Sequence, residues 1–141
     1  MKYPIIVLTV FLVSCTTKAQ NPMENEIKTA LGHYLEAGDT NNAEQLRDYL
    51  HTDFRVLLFD ATKDQTSILN RETYVKFIDQ KKFGGYPRTV EIHAIDTIGE
   101  NMATVKVTLT SPGKPTLKNF YSLVKTANKW AVAQDFVVMQ K

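Results

Sequence analysis

The chain has 141 residues, with 17 Lys and Arg against 15 Asp and Glu, which gives a net charge of +2 at neutral pH. This balance, with lysines scattered rather than clustered beside aromatic residues, excludes a nucleic-acid-binding protein that works through a basic surface. The length suits one domain of ordinary size, and a single cysteine excludes a disulfide framework within the chain.

The N-terminus is typical of a signal peptide. Lys2 supplies a positive charge, and residues 4–13 form an apolar segment of about ten residues, too short to cross a bilayer as a helix. The motif Leu12-Val13-Ser14-Cys15 resembles the bacterial lipobox, in which a peptidase cleaves immediately before a lipidated cysteine. We therefore predict a lipoprotein signal peptide over residues 1–14 and lipidation of Cys15. The lipid would anchor the protein in the cell envelope, facing the periplasm or the cell surface.

A short tether is predicted to follow the lipidated cysteine. Residues 15–22 are polar and lack periodicity, so we expect them to join the lipid to a domain that spans residues 23–141. A second interpretation is cleavage further along, after Ala19 or Gln20, which would release a secreted protein. A third interpretation is that the N-terminal segment is not cleaved and itself anchors the protein.

Three helices are predicted, each by a capping residue followed by apolar residues at steps of three and four. The first begins at Asn21-Pro22 and ends at Gly38. The second begins at Asn41, with a glutamate at capping-box spacing, and the third begins at Asn70 and ends near Lys82. Their apolar stripes are Ile27, Ala30, Leu31, Tyr34 and Leu35, then Ala43, Leu46 and Leu50, then Tyr74, Phe77 and Ile78.

Strands are predicted between the second and third helices and throughout the C-terminal half. An apolar run over residues 54–59 indicates a strand, and residues 60–67 are expected to form a loop. Four further strands are predicted over residues 90–98, 103–109, 118–125 and 130–139. Helices followed by long antiparallel strands, without regular alternation of the two, predict an α+β domain whose helices cover one face of a curved sheet.

Three motifs and the order of the predicted elements resemble a known family. The motifs are Tyr34…Gly38-Asp39 at a helix end, the junction Leu50-His51-Thr52-Asp53-Phe54, and a hairpin over residues 119–132. They are similar to the nuclear transport factor two-like superfamily and, within it, to its "putative lumazine-binding" branch. Two features depart from that pattern: the hairpin turn has Ala127-Asn128 in place of glycine, and Gln134-Asp135-Phe136 lacks a basic residue.

The resemblance implies a cone-shaped fold of the cystatin-like or nuclear transport factor two-like type, in which three helices cover a curved antiparallel sheet. Such folds enclose an apolar pocket between the helices and the concave face, and they commonly dimerise through the convex face. Their members range from isomerases, cyclases and dehydratases to binding proteins, so the fold alone does not select a function.

The alternation of side chains between the two faces of each strand predicts which polar groups face this pocket. Asp96 has the parity of Ile92, which places its carboxylate on the buried face, where burial would raise the pKa toward the range of a general base. A competing interpretation is that a bulge or turn near Gly99 points Asp96 to solvent. Gln134 shares the parity of the apolar residues in its strand and would offer an amide to a ligand. The predicted pocket residues are Tyr34, Phe54, Tyr74, Asp96, Tyr121, Trp130 and Gln134.

The three histidines are weaker candidates. His93 has the parity of the outer face, and His33 falls off the apolar stripe of its helix. His51 and Asp53 lie in a turn, where they either bond to the backbone or form an acid–base pair at the pocket rim. No metal site is predicted, because no two histidines have metal-ligand spacing.

The opposite face of the last strand is predicted to form a dimer contact. Asp135 is expected there with Ala131, Ala133 and Val137, a small apolar surface suited to pairing with a second copy. We therefore expect a homodimer.

The sequence favours a small-molecule-binding domain, anchored in the envelope or secreted, for a small apolar or aromatic ligand. It is expected to act without a cofactor or a nucleic-acid partner, since motifs for nucleotide binding are missing. One alternative is an isomerase, dehydratase or cyclase that acts on an apolar cyclic substrate with Asp96 as general base. The other is a structural or adaptor protein that uses the convex face of the sheet.

Overall fold

The computed structural model describes residues 21–141, so the predicted signal peptide, the lipidation site Cys15 and most of the tether lie outside the described residues. The elements in chain order are α1 (Pro22–Asp39), α2 (Ala43–Asp48), β1 (Leu50–Asp60), β2 (Gln65–Asn70), α3 (Arg71–Asp79), β3 (Thr89–Ile98), β4 (Met102–Thr110), β5 (Thr116–Thr126) and β6 (Lys129–Gln140). Strand β2 begins inside the segment that was predicted to be a loop.

The strands form one six-stranded sheet in the order β2-β1-β6-β5-β4-β3. Neighbouring strands are antiparallel except β1 and β6, which are parallel. The sheet is curved and unclosed, and three helices pack against it, which confirms the predicted α+β class. No helix within residues 21–141 is long and apolar enough to cross a membrane.

One hydrophobic core joins the three helices to one face of the sheet, which we call the inner face. The buried residues that define the inner face are Phe54, Val56, Ala103, Val105, Val107, Leu109, Tyr121, Leu123, Trp130 and Val132. The opposite face, called the outer face, carries exposed Phe120, Phe136 and Val138. Helix α1 buries the whole stripe predicted from its periodicity, including Ile27 and Leu31. In α3 the buried residues are Val75 and Ile78, whereas the predicted Tyr74 and Phe77 are half-buried, and Leu50, predicted for α2, begins β1.

The turn between α1 and α2 also holds the segment that follows α3. Asn41 adopts a left-handed conformation with φ 52°, and its amide donates to the carbonyl oxygens of Ile78 at 2.9 Å and Phe83 at 2.7 Å. The N-cap of α2 is therefore Asn42, whose Oδ1 accepts from the Gln45 amide at 3.0 Å, rather than Asn41 as predicted.

A β-bulge in β3 reverses the alternation of its side chains. The register of β3 against β4 shifts between Ile92 and Ala94, so that His93 is an extra residue. Beyond the bulge, Ile95 faces the core, and Asp96 is exposed on the outer face. The prediction that the Asp96 carboxylate is buried is therefore wrong, and the competing interpretation, a bulge that points it to solvent, is correct.

A second bulge has the same effect in β6. The register of β6 against β5 shifts between Val132 and Gln134, so that Ala133 is an extra residue. Beyond it Asp135 and Val137 are buried on the inner face, whereas Gln134 is exposed on the outer face. Both parity predictions for this strand are thus reversed, and Asp135 and Val137 do not belong to the outer surface that was predicted to pair two copies.

Candidate functional site

A cavity of about 450 Å³ lies between α3 and the inner face of β1, β5 and β6. Its apolar walls include Val56, Leu58, Ile78, Phe83, Leu117, Val137 and Met139. Two polar groups of residues also line it. We call the first group, formed by buried Asn119 and Asp135 and half-buried Tyr74, the inner end, and the exposed group, formed by Lys81, Lys82 and Lys114, the mouth.

Asp135 is the central polar residue of the inner end and is only 4% exposed. Its Oδ1 accepts a hydrogen bond from Asn119 Nδ2 at 2.8 Å, and its Oδ2 accepts one from the Tyr34 hydroxyl at 3.2 Å. Burial raises the pKa of Asp135 to about 7, although both hydrogen bonds and the positive charge of Arg88 act to lower it. This carboxyl group therefore changes its charge near neutral pH.

Two tyrosines extend the hydrogen-bond network away from Asp135. The hydroxyl oxygens of Tyr34 and Tyr74 lie 3.1 Å apart, and because the single Tyr34 proton is donated to Asp135, Tyr74 donates to Tyr34. Burial raises the pKa of Tyr34 well above its ordinary value and that of Tyr74 to about 12, so both stay protonated. The chain of donors from Tyr74 through Tyr34 to Asp135 is thus fixed in one direction while the carboxylate is ionised.

Within residues 21–141, the side-chain amide of Asn119 has a hydrogen-bond partner at its nitrogen but none at its oxygen. Its Nδ2 is used by Asp135, whereas its Oδ1 is buried and has no hydrogen-bond partner within residues 21–141. An unpaired buried acceptor costs about 1–3 kcal/mol, so native proteins keep few of them. Because Asn119 lines the cavity, this oxygen is available to a donor placed there.

Arg88 brings a half-buried positive charge to the cavity wall, but an acidic partner compensates it. Its Nε lies 2.5 Å from Asp39 Oδ1, its backbone amide donates to Asp39 Oδ2 at 3.2 Å, and its Nη2 donates to the carbonyl oxygen of Leu35. The pair holds residue 88 against the end of α1. Arg88 therefore stabilises the cavity wall, and its positive charge also acts to lower the pKa of Asp135.

The segment between α3 and β3 forms the remaining wall and packs closely on α1. Gly84 has φ 67°, and a Cβ atom there would stand 2.0 Å from the carbonyl oxygen of Gly38. The Gly85 amide donates to that same oxygen at 3.1 Å. Only glycine permits this approach, so the position of the wall depends on residue 84.

Three exposed lysines define the mouth of the cavity. Lys82 Nζ lies 4.8 Å from the ring centroid of Phe77, and Lys114 Nζ lies 4.8 Å from that of Tyr86, so aromatic faces hold both ammonium groups. Lys81 follows the end of α3 with φ 56°. Within residues 21–141, none of the three lysines forms an ion pair.

The structure places the predicted pocket residues in three different environments. Tyr74 lines the cavity. Tyr34, Phe54, Tyr121 and Trp130 are buried in the core, and of these Tyr34 alone forms a side-chain hydrogen bond with Asp135. Asp96 and Gln134 are exposed on the outer face, as the two bulges require.

The histidines lie apart from the cavity. His93 bonds to the Thr108 hydroxyl at 2.7 Å, and His33 stacks on Tyr49 with ring centroids 5.1 Å apart. His51 and Asp53 lie within β1 rather than in the predicted turn, and His51 Nδ1 accepts a hydrogen bond from the Asp53 backbone amide at 3.1 Å, which is the predicted backbone alternative to an acid–base pair. Among residues 21–141, no three His, Cys, Asp or Glu side chains come together as a metal site.

Sequence reasoning missed Asp135, Asn119 and Arg88 as residues of the site. One signal for Asn119 was present, because it interrupts an apolar alternation with Leu117 and Tyr121 on the inner face of β5. Asp135 was hidden by the bulge, which no residue type marks. The contact between Arg88 and α1 is a long-range one and leaves no local pattern.

The inner end can bind polar atoms and can exchange a proton. Asn119 offers a free acceptor, and Asp135 accepts when ionised and donates when protonated. Apolar walls surround both groups, so a ligand that reaches them would be largely removed from water.

Several solved structures share this fold at low sequence identity. A protein from Methylobacillus flagellatus KT, described as NTF2-like and of unknown function, superposes with a TM-score of 0.73 at 15% identity, over 88% of this chain and 97% of its own. An NTF2-like protein from Shewanella baltica OS155 gives a TM-score of 0.71 at 18% identity, over 84% and 94% of the two chains. A third, from Cytophaga hutchinsonii ATCC 33406, gives 0.69 at 16% identity, over 82% and 97%. These likenesses support the fold alone.

The family comparison covers most of the chain. None of the curated protein sequences matches significantly. The model of the family described as "Putative lumazine-binding" matches residues 22–136, which include every helix and nearly all of the sheet. The chain therefore belongs to this family, and its fold is the one that the NTF2-like structures share.

Proposed function

We propose that the protein binds a small apolar or aromatic molecule in the cavity between α3 and the inner face. The observation that carries the proposal is a cavity of about 450 Å³ with apolar walls and a buried inner end of hydrogen-bonding groups. Ligand sites in proteins commonly have volumes of about 300–1,000 Å³ and combine apolar walls with a few fixed polar groups.

The family description is consistent with this class of ligand. Lumazine, which that description names, is a flat heteroaromatic ring system with N–H and carbonyl groups. Such a ring would pack between apolar side chains such as Val56 and Phe83, and its polar edge would reach Asn119 and Asp135. The proposal extends to flat ring systems in general, of which lumazine is the first to test.

Filling the cavity with a larger side chain tests the proposal. Leu58 is half-buried and lines the cavity, so Leu58→Trp should occupy space that the ligand needs. Ile68 of β2 is 68% exposed and lies away from the cavity, so Ile68→Trp is the matched control. Titration with lumazine, followed by ligand fluorescence, should show binding to the wild type and the control and at least a ten-fold loss in Leu58→Trp. Equal affinities would contradict the proposal.

Native mass spectrometry supplies an independent test that needs no choice of ligand. Protein extracted from its own cell envelope should carry a retained small molecule. Leu58→Trp, prepared in the same way, should not carry it. The same spectra report the number of subunits.

A second candidate function is proton transfer by Asp135 to and from a bound cyclic substrate, as in an isomerase, dehydratase or cyclase. The observation that favours it is a buried carboxyl with a pKa of about 7, within hydrogen-bond reach of Tyr34 and on the wall of the cavity. These are the conditions expected of a general base, which sequence analysis assigned to Asp96.

A cyclic β,γ-unsaturated ketone such as 3-cyclohexenone tests proton transfer directly. Its conversion to the conjugated isomer removes a proton from the carbon beside the carbonyl and returns one two carbons further on, with a rise in ultraviolet absorbance. The rate should increase with pH through about 7, as Asp135 ionises, and should be lost in Asp135→Asn. Asp96→Asn should keep it. Activity that survives in Asp135→Asn would remove this candidate.

We further propose that two copies pair through the outer face, which presents exposed aromatic residues. Phe120 and Phe136 are 42% and 40% exposed, and their ring centroids lie 6.4 Å apart. Half-buried Leu57 and Phe59 of β1 line the same groove. Sedimentation should show a dimer that Phe136→Lys converts to a monomer, whereas Asp48→Lys, at an exposed position of α2, should leave it intact. A wild-type monomer that captures another envelope protein through this face would instead favour the adaptor function.

Envelope anchoring through Cys15 completes the proposal. The N-terminal pattern supports it, and intact-mass measurement on the membrane fraction should detect an acylated cysteine. Cys15→Ala should release the protein from the membrane or prevent its processing. A variant that remains processed and membrane-bound would exclude the lipid anchor.

A further inference from the structure

The mouth and the inner end of the cavity have different chemistry, and together they specify a ligand. We propose that the ligand is an elongated apolar molecule that carries an anionic carboxylate or phosphate group at the mouth and a hydrogen-bond donor at the inner end. The inference rests on the proposed binding function and adds the chemical class of the ligand.

The mouth has a positive charge that the protein itself does not balance. Lys81, Lys82 and Lys114 line the cavity, and no ion pair within residues 21–141 includes them. Arg88 is already paired with Asp39, and Asp135 is the only acidic residue among the lining side chains. Asp135 is buried at the inner end, whereas the lysines are exposed, so an anion from outside would meet the lysines first.

The protein holds two of these ammonium groups in place. The ring of Phe77 lies beneath Lys82, and the ring of Tyr86, itself a lining residue, lies beneath Lys114. A cation held over an aromatic face loses less freedom when it binds an anion, so a preorganised pair binds more tightly than free lysines.

Lys81 occupies a backbone position that favours glycine. The Lys81 amide donates to the Ile78 carbonyl oxygen, and the Lys82 amide donates to that of Phe77, which is the Schellman arrangement with Lys81 in the left-handed position. A side chain at such a position costs stability, and residues of this kind are concentrated at functional sites. The strained position brings a third positive charge to the mouth.

The inner end calls for a donor rather than an anion. Asn119 Oδ1 is buried without a partner, while its Nδ2 is engaged by Asp135, which fixes the orientation of the amide. A ligand O–H or N–H would satisfy the oxygen. An anionic group at the same place would face the Asp135 carboxyl and another acceptor, so the ligand can bind in one orientation only.

Naphthalene derivatives provide probes that separate the two features. The probe 6-hydroxy-2-naphthoic acid has a donor at one end and a carboxylate at the other. In 2,6-dihydroxynaphthalene the charge is missing, in 6-methoxy-2-naphthoic acid the donor is missing, and in 6-hydroxy-2-naphthyl phosphate a phosphate replaces the carboxylate. Fluorescence titration gives all four affinities. We expect the hydroxynaphthoate or the phosphate to bind about ten-fold more tightly than the uncharged diol, with a preference that weakens at high salt.

Matched variants assign the charge preference to the mouth. The triple variant Lys81→Gln/Lys82→Gln/Lys114→Gln should bind the anionic probes and the diol equally. The control Lys76→Gln/Lys129→Gln/Lys141→Gln changes the net charge by the same amount at exposed lysines outside the cavity and should keep the preference.

The donor preference is assigned separately with Asn119→Val. In the wild type, 6-hydroxy-2-naphthoic acid should bind several-fold more tightly than its methoxy derivative. In Asn119→Val the two should bind alike, while the charge preference measured against the diol remains. The thermal unfolding midpoint of each variant shows whether it is folded, and the charge test stands without this variant.

The possible outcomes separate this inference from the proposed function. If anionic probes and the diol bind the wild type equally, or if the preference survives in the triple variant, the anionic ligand is excluded while binding stands. If no probe binds, including the uncharged diol and lumazine, the binding function and this inference both fail. If the phosphate binds more tightly than the carboxylate, the ligand class is narrowed to phosphate, and the reverse result narrows it to carboxylate.

Discussion

The inner end and the mouth of the cavity are built in different ways. The inner end joins residues that are far apart in the chain: Tyr34 bonds to Asp135 across 101 positions, and Asn119 bonds to it from a neighbouring strand. The mouth comes mainly from one short segment, in which Lys81 and Lys82 follow the C-cap residue of α3, Gln80. One region is buried and hydrogen-bonded, whereas the other is exposed and charged.

Because of this difference, we expect substitutions at the inner end to change mainly the stability of the protein and substitutions at the mouth to change mainly which ligand it binds. Substitutions at the inner end break hydrogen bonds inside the core, so they change the free energy of unfolding and its dependence on pH. Substitutions of the mouth lysines change charge at the surface, where contributions to stability are small. The wall between them is the exception, because Gly84 holds it against α1.

The largest expected effect is a loss of stability with rising pH, caused by Asp135. Burial raises the pKa of Asp135 in the folded protein to about 7, whereas its ordinary value is 3.8. Between these values the folded protein keeps a proton that the unfolded chain has released. The free energy of unfolding should therefore fall as pH rises, by about 1.4 kcal/mol per pH unit and about 4 kcal/mol in all.

Urea unfolding at several pH values across this window measures the effect. Asp135→Asn should remove this contribution to the slope, and Asp96→Asn, which changes an exposed carboxyl, should keep it. The same slope in Asp135→Asn and the wild type would contradict the assignment of the raised pKa.

Gly84→Ala should cause the next largest effect, because its Cβ would meet the backbone of Gly38. The clash adds to an unfavourable positive φ, and we expect a loss of about 3 kcal/mol in the free energy of unfolding. Gly99 has φ 60° with nothing near its Cβ position, so Gly99→Ala should cost about 1 kcal/mol. Equal losses in urea unfolding would mean that the wall does not depend on the contact with α1.

The two bulges show where sequence reasoning succeeds and where it stops. Periodicity and caps predicted the three helices, because side-chain contacts and capping bonds there are local. The hairpin of β5 and β6 was predicted as well, although Ala127 and Asn128 replace glycine at the turn, both with positive φ.

The extra residues His93 and Ala133 could not be predicted, because a bulge depends on how two strands pair rather than on residue type. A single extra residue exchanges the two faces of everything that follows it. Sequence analysis therefore placed Asp96 inside and Asp135 outside, the reverse of the structure. The apolar pocket was foreseen from the resemblance, but its acidic residue was not.

Substituting Asp135 and Asp96 separately measures how much each carboxyl group contributes to stability at its position in the structure. Asp135→Ala leaves Tyr34 and Asn119 without an acceptor in the core, so we expect a loss of about 2 kcal/mol at pH 5, where the wild-type carboxyl is protonated. Asp96→Ala removes an exposed carboxyl and should change stability by less than about 0.5 kcal/mol. Urea unfolding of the pair measures both, and a larger loss in Asp96→Ala would contradict the structural assignment.

The smallest expected effect has the opposite sign and concerns the mouth. Glycine is the favoured residue at the left-handed position of Lys81, so Lys81→Gly should raise the free energy of unfolding by about 0.5–1 kcal/mol. Lys82 lies outside the left-handed region, so Lys82→Gly should lower it slightly. Both variants should weaken binding of 6-hydroxy-2-naphthoic acid.

A Lys81→Gly protein that is more stable and yet binds the anion less well would show that Lys81 lowers the stability of the protein while its charge increases the affinity for the ligand. If Lys81→Gly gains stability and keeps full affinity, Lys81 contributes nothing to ligand affinity. The charge that binds the anion must then come from Lys82 and Lys114. If it loses stability, the strain inferred from φ 56° is absent. The two measurements together therefore decide whether a residue that is unfavourable for folding is retained for binding.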